Sequence, residues 1–447
     1  MRALLTVAGM LGHGGSPPER ARVRLMAVGA ALATWFLFGA ANVLALHGQL
    51  DQRFGPIADP GTRGGSAFGI ALLLLPVAAF LYQSGRLAAA DRERRLSALR
   101  LAGATPREVR VLGAIEVTRT AALGAVVGAA SYLLLQLAAR SLLPPGSRAD
   151  VDVPPLWGLA AMALVIVAAA ISGMRAGGHV IATPLGVTRR ANVRPPRWYG
   201  LLLLVPPCTI YLAVWLLAAL GDAGFFSDGA RLLMTLSLVL VPVALMRSAA
   251  WMVWFAARWV GRRAGSAETL LAARALEADA RPWGRALAVV GLTVSVGTGV
   301  GLVEADFLAI GRHPDPFWVT SFVLVSLALL VAIVVAAAAL LVHQAESLLE
   351  RGPVLAALRA GGASERELRR VLTRQGLIAS VPVCGLAVAA SLVTLAGGVA
   401  IQGVWSLLTI GHSLLMGGLG VVAAVLVTTA SRRRLRRAIA PERLRTE

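Results

Sequence analysis

Residues 96–112 read LSALRLAGATPREVRVL, and residues 355–371 read LAALRAGGASERELRRV. Shifted by 259 positions, Leu96, Ala98, Leu99, Arg100, Gly103, Ala104, Arg107, Glu108 and Arg110 all meet the same residue type. Thr105 meets Ser364, and Val109 meets Leu368. Both copies spell the same local structure. A glycine ends a helix because it takes a positive φ without penalty. Two residues later, Thr105 or Ser364 fits an N-cap, and Glu108 or Glu367 at the third helical position can reach back to the cap N–H. Pro106 fits the first helical position. The spacing predicts helix, sharp turn, second helix, twice. A well-capped hairpin would account for one copy; two at one offset raise the question of what a pair is for.

Each element is set between long apolar blocks. The chain of 447 residues is 57% apolar and only 15% charged, with a mean hydropathy of +0.73. That is too little charge to cover a water-soluble surface. Blocks such as FGIALLLLPVAAFLY and VSLALLVAIVVAAAALLV approach the roughly 20 residues that cross ~30 Å of hydrocarbon. The expected fold is an all-α polytopic membrane protein. About ten transmembrane helices are read, at 24–46, 66–85, 112–138, 155–175, 199–219, 230–248, 286–304, 317–341, 376–396 and 408–430. The first is too long for a signal-peptide core and is kept as a span.

Charge sets the orientation. The net charge is +20, and all 43 basic residues are arginine. With both termini in the cytoplasm, six arginines lie outside (Arg53, Arg63, Arg140, Arg148, Arg231 and Arg312), Arg247 sits near a helix end, and the other 36 lie inside. The positive-inside rule therefore places both termini in the cytoplasm. The basic balance reads as contact with anionic membrane lipids and not with nucleic acid. Arginine-only, alanine-rich usage fits a bacterial plasma membrane protein.

The repeat extends beyond the two elements. In each half a basic amphipathic segment leads into a span; an outside loop, a second span, the charged element and two more spans follow. The reading is of two parallel-repeat four-helix halves, 1–198 and 261–447, joined by a two-helix spacer, 199–260. A spacer of two spans preserves the direction of the second half. Residues 86–102 can carry span two into the cytoplasm as one helix; from 66 to 102 that is about 55 Å, longer than the bilayer is thick. In the second half Gly352-Pro353 precedes the element, and a proline there predicts a kink or break. The stretch SAAWMVWFAARWVGRRAG after span six reads as an interfacial helix end with an aromatic belt. Leu96, Leu99, Val109, Leu112, Leu355, Leu358 and Leu368 are apolar residues on elements held outside the bilayer, and they predict a partner to pack on.

No enzymatic site is legible. A P-loop needs a lysine, and the chain has none. The six histidines are scattered, and Cys208 and Cys384 fall inside expected spans as small apolar residues. Secondary transport generally needs charged residues or broken helices at mid-membrane. Glu116 and Arg119 lie at the inner end of span three, Glu304 and Asp306 at the outer end of span seven, none at the midplane.

The pattern R-x-x-x-L-x-x-L-R-x-x-G-A-[TS]-x-R-x-[VL]-R running into an apolar span resembles the FtsX-like permease domain of ABC transporters, over about 66–198 and again over 317–447. A single chain with two such domains is similar to permeases of the peptide-sensing and resistance type. The resemblance implies that the surface helix after each glycine is a coupling helix docking into a groove of a separate ABC-type ATPase. ATP and Mg would be held by that partner, two copies per chain, and none by this chain. It implies an interface made by Leu99, Arg100, Gly103, Ala104, Thr105, Arg107, Glu108 and Arg110 on one element. Leu358, Arg359, Gly362, Ala363, Ser364, Arg366, Glu367 and Arg369 would form it on the other. It implies export, extraction or mechanical transmission acting on a peptide- or lipid-type substrate. The alternatives are a non-transporting scaffold that activates an extracellular enzyme and, less favoured, a secondary transporter. Such permeases usually carry a large extracellular domain; here the loop EADFLAIGRHPDP leaves no room for one, which puts a sensing role and an extracytoplasmic partner in question.

Overall fold

The computed structural model describes residues 17–47, 52–86, 97–142, 154–182, 195–220, 228–309, 316–402 and 407–430. The described residues form helices and contain no strand. In chain order the helices are α1 (Pro17–Ala45), α2 (Pro60–Leu72), α3 (Leu74–Arg86), α4 (Pro106–Leu142), α5 (Pro155–Ala182), α6 (Val205–Ala219) and α7 (Asp228–Arg262). They continue with α8 (Ala267–Ala278), α9 (Ala280–Ala309), α10 (Pro316–Glu350), α11 (Gly352–Ala360), α12 (Glu365–Gln402) and α13 (Leu407–Ala430). A short helical stretch also covers 97–101. Among the described residues, eight segments are long and apolar enough to cross a membrane. The fifth expected span is represented by a shorter apolar stretch, Trp198–Val214. The sixth lies in the first part of α7.

Two expectations about continuity meet the structure differently. Span two is interrupted at Leu73, between α2 and α3. Pro76 has no N–H for the Leu72 carbonyl, so one bond of the helical ladder is missing there, while Leu73 itself keeps helical dihedrals (φ −65°, ψ −16°). The expected extension of span two falls on 87–96, outside the described residues; helix is present again at 97–101. In the second half the expected break is observed. Arg351, at φ −92° and ψ 4°, separates α10 from α11, and Pro353 lies in the first turn of α11. A proline in that position lacks only an N–H that has no partner within the helix.

The chain divides into two compact units, residues 1–192 with 315–321 and residues 193–314 with 322–447. In the first unit α1 is the most enclosed span. It meets α4 where Gly124 and Gly128, one turn apart, face Ala27 and Ala31. A Cβ added to Gly128 would lie 2.8 Å from the Ala31 Cα, and one added to Gly124 would lie 2.9 Å from the Ala30 Cβ. Lipid supplies no hydrophobic drive between helices, so close backbone approach through small residues is what holds such a pair. Arg22 of α1, buried, donates to the Glu116 carboxylate of α4. At the far end of α1, buried Arg63 donates to the carbonyls of Leu46 (2.8 Å), Ile57 (2.9 Å) and Ala58 (3.2 Å). It thereby satisfies carbonyls that the helix end leaves open.

In the second unit the enclosed span is α9, of which Trp283, Leu287, Val289, Val290 and Val294 are buried. Gly284 sits against the backbone of Ala250 in α7, and Gly291 faces Val383 and Ala387 of α12. Ser295 and Ser391 join α9 to α12 through a buried 2.7 Å hydrogen bond. The Trp-rich stretch after span six continues α7 without a break. Its Val253 and Ala257 are buried, while Arg258 and Arg263 lie over the rings of Trp254 (5.2 Å) and Trp259 (4.3 Å). Arg247 is exposed, and Cys208 and Cys384 are both free thiols.

The α1–α4 seam yields a prediction. Gly128→Leu places a side chain where only backbone fits, at a cost of about 1–3 kcal/mol or more. Gly64, which has open space around it, should accept alanine. Thermal unfolding in detergent should show a lowered midpoint for the first variant and an unchanged one for Gly64→Ala.

Candidate partner-docking site

Both glycines adopt the left-handed backbone that the sequence demands: Gly103 at φ +100° and Gly362 at φ +101°. Around Gly103 the chain forms a doubly bonded helix stop. The Gly103 N–H donates to the Arg100 carbonyl (3.1 Å) and the Ala104 N–H to the Leu99 carbonyl (3.0 Å). Around Gly362 the same two bonds recur, Gly362 to Arg359 (3.1 Å) and Ala363 to Leu358 (3.0 Å). This is the Schellman pattern, in which the two residues past the helix satisfy its last open carbonyls. A Cβ on either glycine would meet nothing within 4 Å, so backbone conformation alone selects glycine there.

The second helix of each hairpin starts with a reciprocal cap. The Thr105 N–H donates to Glu108 Oε2 (2.7 Å), the Thr105 hydroxyl donates to the same oxygen (2.9 Å), and the Glu108 N–H donates to Thr105 Oγ1 (3.3 Å). In the other copy Ser364 and Glu367 make the same three bonds at 2.7, 2.9 and 3.2 Å. The backbone N–H and then the hydroxyl of Thr105 hold the Glu108 carboxyl below the usual carboxylate range. Ser364 does the same for Glu367, helped by the positive charge of Arg370. These are the capping boxes that the sequence spacing predicts.

The apolar residues behave differently from the expectation that they await a partner. Val109 is fully buried, packed by Leu99 and Ala104 of its own hairpin. Leu112 is buried too. Leu368 joins Leu348 and Leu372, with Leu355 and Ala363 against them. Each hairpin thus folds its leucines inward and closes its own small core; Leu96 lies outside the described residues. Leu358 is at the margin of exposure, and the apolar residue that stands out at the first turn is Leu101, 77% exposed. The outer face of each turn is otherwise polar. Arg107, Arg110, Arg359 and Arg366 are exposed, while Arg100 and Arg369 are partly covered. Arg369 pairs with Glu365, and Arg359 donates to the Ala363 carbonyl (3.0 Å). The structure brings Leu99, Arg100, Gly103, Ala104, Thr105, Arg107, Glu108 and Arg110 together at one turn, and their eight counterparts at the other. Leu101 was not singled out from sequence; its position beside the helix-ending glycine was the available signal. Among the described residues no group of three or more His, Cys, Asp or Glu side chains could hold a metal ion.

A chain whose described residues are helical, with eight membrane-length apolar segments among them, is an all-α polytopic membrane protein. Residues 67–185 match the family model described as FtsX-like permease C-terminal. This part of the chain, which contains the Gly103 turn, is therefore similar to an FtsX-like permease domain. The Gly362 turn lies outside the matched residues. No curated protein matches the chain.

The caps give a pH prediction. Glu108 and Glu367 titrate lower in the folded hairpin than in an unfolded chain, so their stabilisation is fully present above the ordinary glutamate range and is lost as pH falls through the depressed values. Amide hydrogen exchange at Thr105 and Ser364, corrected for its intrinsic pH dependence, should stay protected through the ordinary glutamate range and open only below it. In Glu108→Gln and Glu367→Gln that pH step should vanish.

Proposed function

We propose that the chain is the transmembrane subunit of an ABC transporter whose two hairpin turns dock on a separate ATPase dimer, one turn per groove. The observation that carries the reading is the pair of turns with the same glycine φ, the same helix stop and the same cap. A protein with a single contact of this kind to make has no need of a second copy. An ATPase dimer presents two equivalent surfaces, and one chain that serves both must carry the contact twice. ATP and Mg belong to the partner, whose closure pushes on the turns; α4 and α12, which start at the caps and run on as candidate spans, carry that push into the bilayer. Both termini face the cytoplasm of a bacterial cell, in line with the arginine asymmetry. The substrate class is a peptide or lipid, moved across or extracted from the membrane.

In this reading the docking face is the exposed polar rim and Leu101, because the leucines of the hairpin cores face inward. Arg107→Glu and Arg366→Glu change that rim without touching the hairpin cores. Each should lower permease-stimulated ATP hydrolysis by about tenfold, equivalent to about 1.4 kcal/mol of docking energy, and the double variant should abolish it. Native mass spectrometry of the complex should show one chain with two ATPase subunits. A stable complex with a single ATPase, or two copies of this chain on one ATPase dimer, would overturn the reading.

A further inference from the structure

The surface helix α8 connects to the second hairpin in a way that neither its sequence nor the proposed function anticipates. It is only 12 residues long, and in isolation a helix of that length is marginal. One face, Ala272, Ala273 and Leu276, is fully buried. Its two ends are gripped by arginines that flank the Gly362 turn on either side. At the N-terminal end Glu268 takes two guanidinium groups, Arg370 Nη1 at 3.1 Å on one oxygen and Arg374 Nη2 at 3.0 Å on the other. Arg374 also donates to the hydroxyls of Ser266, the α8 N-cap, and of Thr269. At the C-terminal end Arg351, the residue at the break between α10 and α11, donates to the Ala275 carbonyl (3.2 Å) and to the Asp279 carboxylate.

The two ends are not electrostatically alike. A cation at a helix C-terminus is favourable, so Arg351 sits well on Ala275 without further help. Arg370 and Arg374 face the opposite end, where the helix presents partial positive charge. Glu268, in the first turn, converts that repulsion into two ion pairs. With side-chain exposures of 16% for Glu268 and 35% for Arg374, the pair is shielded more than a typical surface contact.

We propose that α8 is a strut that fixes the second hairpin, and that Glu268 is its positioning residue. The break at Arg351 and Pro353 is then no free pivot. Arg351 before the turn and Arg370 and Arg374 after it are tied to the same short helix, so the Gly362 turn is held relative to α8 from both sides. In the first unit, α1 is joined to the helix after its turn by the ion pair Arg22–Glu116, in which the chain segment supplying the arginine is exchanged. For its consequence in transport the inference rests on the docking reading above; its geometry does not.

The test uses the full chain in detergent or nanodiscs, with Cys208 and Cys384 replaced and nitroxide labels at Leu271 of α8 and Val354 of α11, both exposed. Pulsed electron–electron resonance should give one narrow distance distribution in the parent protein. Glu268→Gln should broaden and shift it, and Arg370→Gln should shift it less in the same direction. The charge exchange Glu268→Arg with Arg370→Glu and Arg374→Glu should restore the narrow distribution. Glu277→Gln removes a carboxylate that α8 directs at Arg258 and Arg274, and it should leave the distribution narrow. An unchanged distribution in Glu268→Gln, or equal broadening in Glu277→Gln, overturns the proposal. No ATPase takes part in the measurement, so a failure of the docking reading would leave this result standing, and the reverse.

Discussion

A chain that leaves an apolar layer and returns to it must reverse direction without abandoning its backbone hydrogen bonds. Gly103 and Gly362 are where this chain does so. Their left-handed conformation lets the glycine N–H and the one after it turn back onto the helix just ended, and the following Thr or Ser then opens a new helix with a reciprocal cap on its first turn. The hairpin is therefore closed within itself. Its core leucines face inward, its last carbonyls are capped, and what remains outside is an arginine-rich rim, joined at the first turn by Leu101. A surface built this way is already ordered before anything touches it.

The same physics made this part of the molecule legible from sequence. Glycine, a hydroxyl two residues on and a glutamate three further on leave few alternatives for the backbone, because each residue type answers one local demand. Span positions were legible for a similar reason, since apolar length is a one-dimensional property. What escaped were the directions of side chains. Leu99, Val109 and Leu368 looked like a docking face because they are apolar on an element outside the bilayer; only the tertiary path shows that each hairpin provides its own cover. Likewise, the interruption at Leu73 depends on the carbonyl that Pro76 meets one turn earlier. The role of Glu268 depends on arginines about a hundred positions away, a separation that no local spacing rule can bridge.

The two units solve one packing problem with different residues. In each, a central span must lie close to the span that follows the hairpin. In the first unit the glycines are on α4, at 124 and 128; in the second, the glycine facing that helix is Gly291, on α9 itself. The chain segment that supplies the arginine of the nearby ion pair is exchanged in the same sense, from α1 in the first unit to α12 in the second. Close approach and charge pairing are properties of a contact, and either side of the contact can provide the small residue or the cation. A search for repeats that compares residue with residue along the chain is blind to such exchanges.

The seam at Gly124 and Gly128 has a mechanical consequence. Where two helices meet through interleaved side chains, rotamer changes can absorb a small displacement before it travels further. At Gly124 and Gly128 the α4 backbone rests on α1, and no α4 side chain stands at those two positions to take up play. Over that turn the two helices touch directly, so a displacement of α4 there meets the α1 backbone with no side chain to yield first.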